Sequence, residues 1–87
     1  MSDPQDCLDE LRKLAGAELA HPRKDAGKIV RQFTKGATKG DVRQLRTRLE
    51  DTLLAGQYTV VPSAYLDQHS RWLVVLAGAA AEAKEHL

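Results

Sequence analysis

Residues 63–86 read SAYLDQHSRWLVVLAGAAAEAKEH, and the architecture turns on how that stretch is covered. Ser63 supplies a helix cap and the segment from about 64 to 86 carries helical spacing. Tyr65, Leu66, His69, Trp72, Leu73, Leu76, Ala80 and Ala83 share one broad face. A surface helix has one apolar stripe and a polar back, and this one does not. With Leu66 at 0° and about 100° per residue, Leu73 falls near 340°, Leu76 near 280°, Val74 near 80° and Val75 near 180°. The turn 72–76 is therefore apolar on every side, and the small residues Ala77–Ala81 prolong it.

A helix of that kind must be covered all round. Either the rest of the chain wraps it, or its back face meets a second copy. Eighty-seven residues bury only roughly 60–65% of their unfolded surface, which favours the homodimer. The expected seam is Trp72, Val74, Val75, Gly78 and Ala79.

Three shorter helical segments precede it. The first starts at Ser2 or Asp3, places Pro4 in its first turn, and shows an apolar stripe at Leu8, Leu11, Leu14, Ala15 and Leu19. His21-Pro22 is its expected end. The second runs from Pro22 to Lys35 on Ala26, Ile29, Val30 and Phe33, with Gly36 expected as a left-handed stop. Thr38-Lys39-Gly40-Asp41 starts the third in the manner of a capping box, with core positions Val42, Leu45, Leu49 and Leu53 and Gly56 as its stop. Gln57–Pro62 is β-prone but has no hairpin partner within the chain. It reads as an extended connector, with pairing to its twin in a dimer as the alternative. The expected fold is all-α, a small four-helix bundle-like single domain over 1–87, with an extended connector at 57–62 before a long C-terminal helix.

Charge is unevenly placed. The chain is +1 overall, yet residues 21–48 hold nine Lys/Arg against two acids, while the segments on either side are each −3. On the second segment Lys24, Lys28, Arg31 and Lys35 fall opposite the core positions, at spacings of 4, 3 and 4. Lys39 lies just past that helix, and Arg43 flanks the apolar face of the third. Cations at this spacing can each neutralise a phosphate; four of them predict a salt slope of about −3.6 in log K against log[salt]. Arg46–Glu50 and Arg48–Asp51 are spaced for local ion pairs, so those two arginines contribute less.

Gly36-Ala37-Thr38, followed by Val42 and Leu45, resembles the turn and second helix of a helix-turn-helix motif. The likeness spans about ten residues and departs at Gln32 and Lys35, where small and apolar residues are usual. The resemblance implies that Thr38, Lys39, Arg43 and Gln44 face a major groove.

Other functions find little support. Cys7 is the only cysteine, so neither an internal disulfide nor a zinc–cysteine cluster is available. His21, His69 and His86 form no metal-binding spacing. Glu82 and His86, at i,i+4 near a terminus, read as a solvent-exposed pair, and His69 as a core-edge histidine with a hydrogen-bond partner. Ser63 and Ser70 lie outside any nucleophile-elbow pattern. No enzyme, metal or cofactor is expected. The acidic, polar N-terminal residues do not resemble a signal peptide, and the longest apolar run, Trp72–Ala81, is too short to span a membrane, so a cytoplasmic protein is expected. The absence of asparagine, the single isoleucine and the excess of Arg over Lys resemble the output of a GC-rich bacterial or phage genome.

Two functions remain. One is a nucleic-acid-binding regulator or accessory factor using the basic face over 24–43, with DNA as its partner. The other is an adaptor or inhibitor whose basic face docks on an acidic protein.

Overall fold

The computed structural model describes residues 3–87 and contains four α-helices. Helix α1 (Pro4–Ala15) is capped by Asp3, whose Oδ1 accepts the Gln5 amide at 2.9 Å; Ser2, the other candidate cap, lies outside the described residues. Cys7, Leu11 and Ala15 form its buried stripe. The helix ends at Ala15, well before the expected His21-Pro22 stop. Gly16, a poor helix former, caps it, and Leu19 becomes the one half-buried residue of an otherwise exposed link.

Helix α2 (Pro22–Thr34) buries Ala26, Val30 and Phe33. The chain leaves it through right-handed Lys35, with Gly36 N–H donating to the Phe33 carbonyl at 3.3 Å. None of the described glycines has positive φ, so the expected left-handed stop at Gly36 is not used. A tight i→i−3 bond satisfies the helix end instead.

Helix α3 (Lys39–Gln57) opens on the expected capping box. Asp41 N–H donates to Thr38 Oγ1 at 3.1 Å, and Thr38 N–H to Asp41 Oδ2 at 3.2 Å. Val42, Leu45 and Leu49 are buried. The helix runs through Gly56 to Gln57, so Gly56 does not stop it. Its role is in packing: a Cβ at Gly56 would lie 2.9 Å from Leu73 Cδ2. Tyr58–Pro62 is neither helix nor strand. Ser63–Tyr65 makes a single 3-10 turn, so Ser63 begins that turn and does not cap helix α4 (Leu66–Glu85).

Helix α4 is the spine of the molecule. It packs on α1, α2 and α3, while α2 and α3 barely touch each other. Its buried positions are Val75, Leu76, Gly78, Ala79 and Ala83. On the same wheel these centre near 220°, so the buried arc is turned by roughly 80° from the middle of the expected face and shares only Leu76 and Ala83 with it. Tyr65 and Leu66 are exposed.

This corrects the expected dimer seam. Val75, Gly78 and Ala79 are covered within the chain. Trp72 is half-buried, with the Arg12 guanidinium 4.8 Å from its ring centroid, and only Val74, at 38%, is exposed. Three helices suffice because α4 presents small residues, Gly78, Ala79 and Ala83, at buried positions. At Gly78 the backbone of α2 sits directly on α4: a Cβ there would meet Arg23 Cα and carbonyl oxygen, each at 2.9 Å. No described helix is long and apolar enough to cross a membrane.

Cys7 lies inside the core at 4% exposure. Burial, with the nearby Glu10 carboxylate adding to it, pushes its thiol up from 9.0 to about 12. The folded thiol is therefore neutral where the unfolded one ionises, and the stability this carries is complete below pH 9. It is lost as pH rises from about 9 towards 12. Maleimide at pH 8 should label Cys7 only at the rate of unfolding; rapid labelling of native protein would show an accessible thiolate.

Candidate nucleic-acid interface

Helix α2 buries Ala26, Val30 and Phe33 against the bundle and thereby turns its other side outwards. Lys24, Lys28, Arg31 and Lys35 are all exposed there, as are Lys39 and Arg43 on the first two turns of α3. Lys28, Arg31 and Lys35 converge with Gln32 on one open groove. From Lys24 to Lys35 the helix rises about 16 Å, a length over which a duplex presents roughly ten phosphates.

The stripe is less uniform than its spacing suggests. Arg31 Nε lies 2.6 Å from Glu82 Oε1 on α4, a carboxylate only 14% exposed. A partner drawing on Arg31 would share a guanidinium whose charge is already matched by Glu82. Lys24 shares a second shallow groove, between α2 and α4, with Arg23, Arg31, Glu82 and Glu85. Lys28, Lys35, Lys39 and Arg43 make no ion pair among the described residues. His86 Nε2 stands 4.0 Å from Glu82 Oε1, so the pair expected on the surface shares a largely covered carboxylate.

Of the local pairs, Arg46–Glu50 forms, with Nε donating to Oε1 at 2.9 Å. Arg48–Asp51 does not. Arg48 Nη1 donates instead to Gln5 Oε1 at 3.0 Å and ties α3 to α1. Local spacing gave no sign of the Arg31–Glu82 or Arg48–Gln5 contacts, which join residues far apart in the chain. The helix-turn-helix resemblance does not extend to three dimensions. Its two helices would have to pack on each other, whereas α2 and α3 pack separately on α1 and α4. Gln32 and Lys35, the residues that depart from the motif, point into solvent.

His69 has the predicted partner: Nε2 donates to the Gly56 carbonyl at 2.9 Å. No group of three or more His, Cys, Asp or Glu able to hold a metal occurs among the described residues.

These features define a small all-α domain with one basic helix face. The chain matches no protein-family model, no curated protein and no solved structure.

Proposed function

We propose that this protein is a small non-enzymatic nucleic-acid-binding regulator or accessory factor that lays the outer face of α2 along a duplex. The observation that supports the reading is the set of exposed lysines at 24, 28 and 35, on the side of α2 opposite its core, with Lys39 and Arg43 following on α3. Contacts of this type neutralise phosphates without reading bases, so the affinity would be largely independent of sequence. The aromatic residues favour duplex over stacked single strands. Phe33 is buried, Trp72 lies beneath Arg12, and Tyr58 and Tyr65 belong to the α3–α4 junction, so none stands beside the lysines.

The Arg31–Glu82 pair changes the expected numbers. With Arg31 held by α4, the three lysines of α2 give a slope of about −2.7 per protomer, shallower than four phosphate contacts would. Fluorescence anisotropy on a short duplex between 25 and 200 mM salt (about one decade) measures it. The double variant Lys28→Glu/Lys35→Glu should weaken binding more than about tenfold with an unchanged melting temperature. Arg31→Glu should instead lower the melting temperature, since it places a second carboxylate beside Glu82. No binding of duplex DNA at low salt would overturn the reading and leave the acidic protein as the partner to seek.

A further inference from the structure

Seven large apolar side chains are exposed among the described residues, and five of them, Leu54, Tyr58, Val60, Tyr65 and Leu66, lie within 54–66. Val60 is 95% exposed and Tyr58 81%. The same region carries no charge from Thr52 to Leu66, although 29% of the chain is charged. The other long uncharged run, Trp72–Ala81, is largely buried by neighbouring helices. An uncharged run left outside is therefore unusual for this molecule, and contiguous exposed apolar surface marks a contact site.

The surface is held in place. The His69–Gly56 hydrogen bond and the seating of Leu73 over Gly56 pin the start of α4 to the end of α3. All five side chains thus belong to the end of the molecule where these helices join. Within the connector, the Tyr58 and Thr59 amides turn back onto α3 at 3.3 and 3.4 Å, and the Tyr65 amide donates to Pro62. The Val60 and Val61 amides donate to no backbone carbonyl among the described residues.

We propose that the 54–66 surface is the self-association face of a two-fold symmetric dimer, with the segments around Val60 running antiparallel. Charge selects this occupant. The face offers nothing to attract an oppositely charged partner, and it meets its own copy without like-charge repulsion. The backbone agrees with it. Antiparallel alignment brings each Val60 N–H to the Val60 carbonyl of the other copy and meets the β-preference of Thr59–Val61. Pro62 has no N–H and keeps the ribbon short, so the apolar and aromatic side chains around it supply most of the affinity. This dimer leaves the core of α4 intact, and it stands or falls independently of nucleic-acid binding.

Light scattering or sedimentation at about 50 μM tests it. The native chain should run near 19 kDa, twice its 9.6 kDa. Val60→Asp should run as monomer with an unchanged far-ultraviolet circular dichroism spectrum, because that side chain touches little within one chain. Val60→Pro, which removes the N–H, should weaken the dimer too. Val60→Cys should form an intermolecular disulfide with oxidised glutathione much faster than Ala17→Cys, since directly opposed residues sit about 5.5 Å apart. Buried Cys7 does not compete. A native chain that stays at 9.6 kDa up to 100 μM, the result also expected if this face served a different protein, overturns the proposal. So does a Val60→Asp variant that remains dimeric.

Discussion

Gly78→Val should lower the thermal midpoint by roughly 12–24 °C, which corresponds to about 3 kcal/mol in a domain of this size. Even alanine would put its Cβ 2.9 Å from Arg23 Cα and carbonyl oxygen. Those are backbone atoms of a helix and cannot swing aside, so α2 would have to lift off α4 and open the contacts around Ala79 and Val30. Gly27→Ala provides the control. A Cβ at Gly27 would meet Glu82 no closer than 3.9 Å, ordinary contact, so the substitution should gain helix propensity of about 0.5–1 kcal/mol and raise the midpoint by a few degrees. Two buried glycines, each at the α2–α4 contact, thus give opposite signs. A Gly78→Val protein that melted with the native chain would show that the two helices do not meet there.

Leu76→Ala should be comparably damaging. Leu76 is fully buried on α4 within a core that reaches all four helices. Truncation removes buried apolar surface and leaves a cavity that relaxes only in part, a loss of about 2–5 kcal/mol. A chain of 87 residues has a total stability on the order of 4–13 kcal/mol, so this one change can remove a large share of it. Urea denaturation would show the midpoint falling at nearly constant slope. Val74→Ala is the contrast on the same turn of the helix. Its side chain is exposed, and its loss should change stability by less than about 0.5 kcal/mol.

That contrast marks where periodicity stopped being informative. Helices α1, α2 and α3 each carry one apolar stripe, and Leu11, Val30 and Leu45 lie buried where spacing placed them. The Asp3 and Thr38–Asp41 caps were legible because a side chain two or three residues from its own backbone partner is a local event. On α4 the pattern was apolar at every angle and therefore had no direction. The expected face took in Leu66 and Leu73 together with Leu76 and Ala83; packing buries only the last two of these and adds Val75, Gly78 and Ala79, the residues expected in a dimer seam. The glycines misled for a related reason. Gly36 and Gly56 read as helix stops; α2 does end just before Gly36, though without a left-handed residue, while Gly56 lies inside α3 under Leu73. At the candidate interface, spacing identified the exposed lysines correctly. It could not reveal that Glu82 returns from the far end of the sequence to hold Arg31.

The central position of α4 also bears on how the chain comes to be folded. It is the last of the four helices to leave a ribosome, yet α2 and α3, which hardly touch each other, both rest on it. A nascent chain ending before Leu66 lacks the helix on which the other three meet and keeps only the smaller α1–α2 and α1–α3 contacts, and helices as short as α1 and α2 are marginal in water on their own. Folding during synthesis should therefore wait for α4 and then occur in one step. Until then the nascent chain exposes the apolar stripes of all three helices, and it is in that interval that a chaperone would find it.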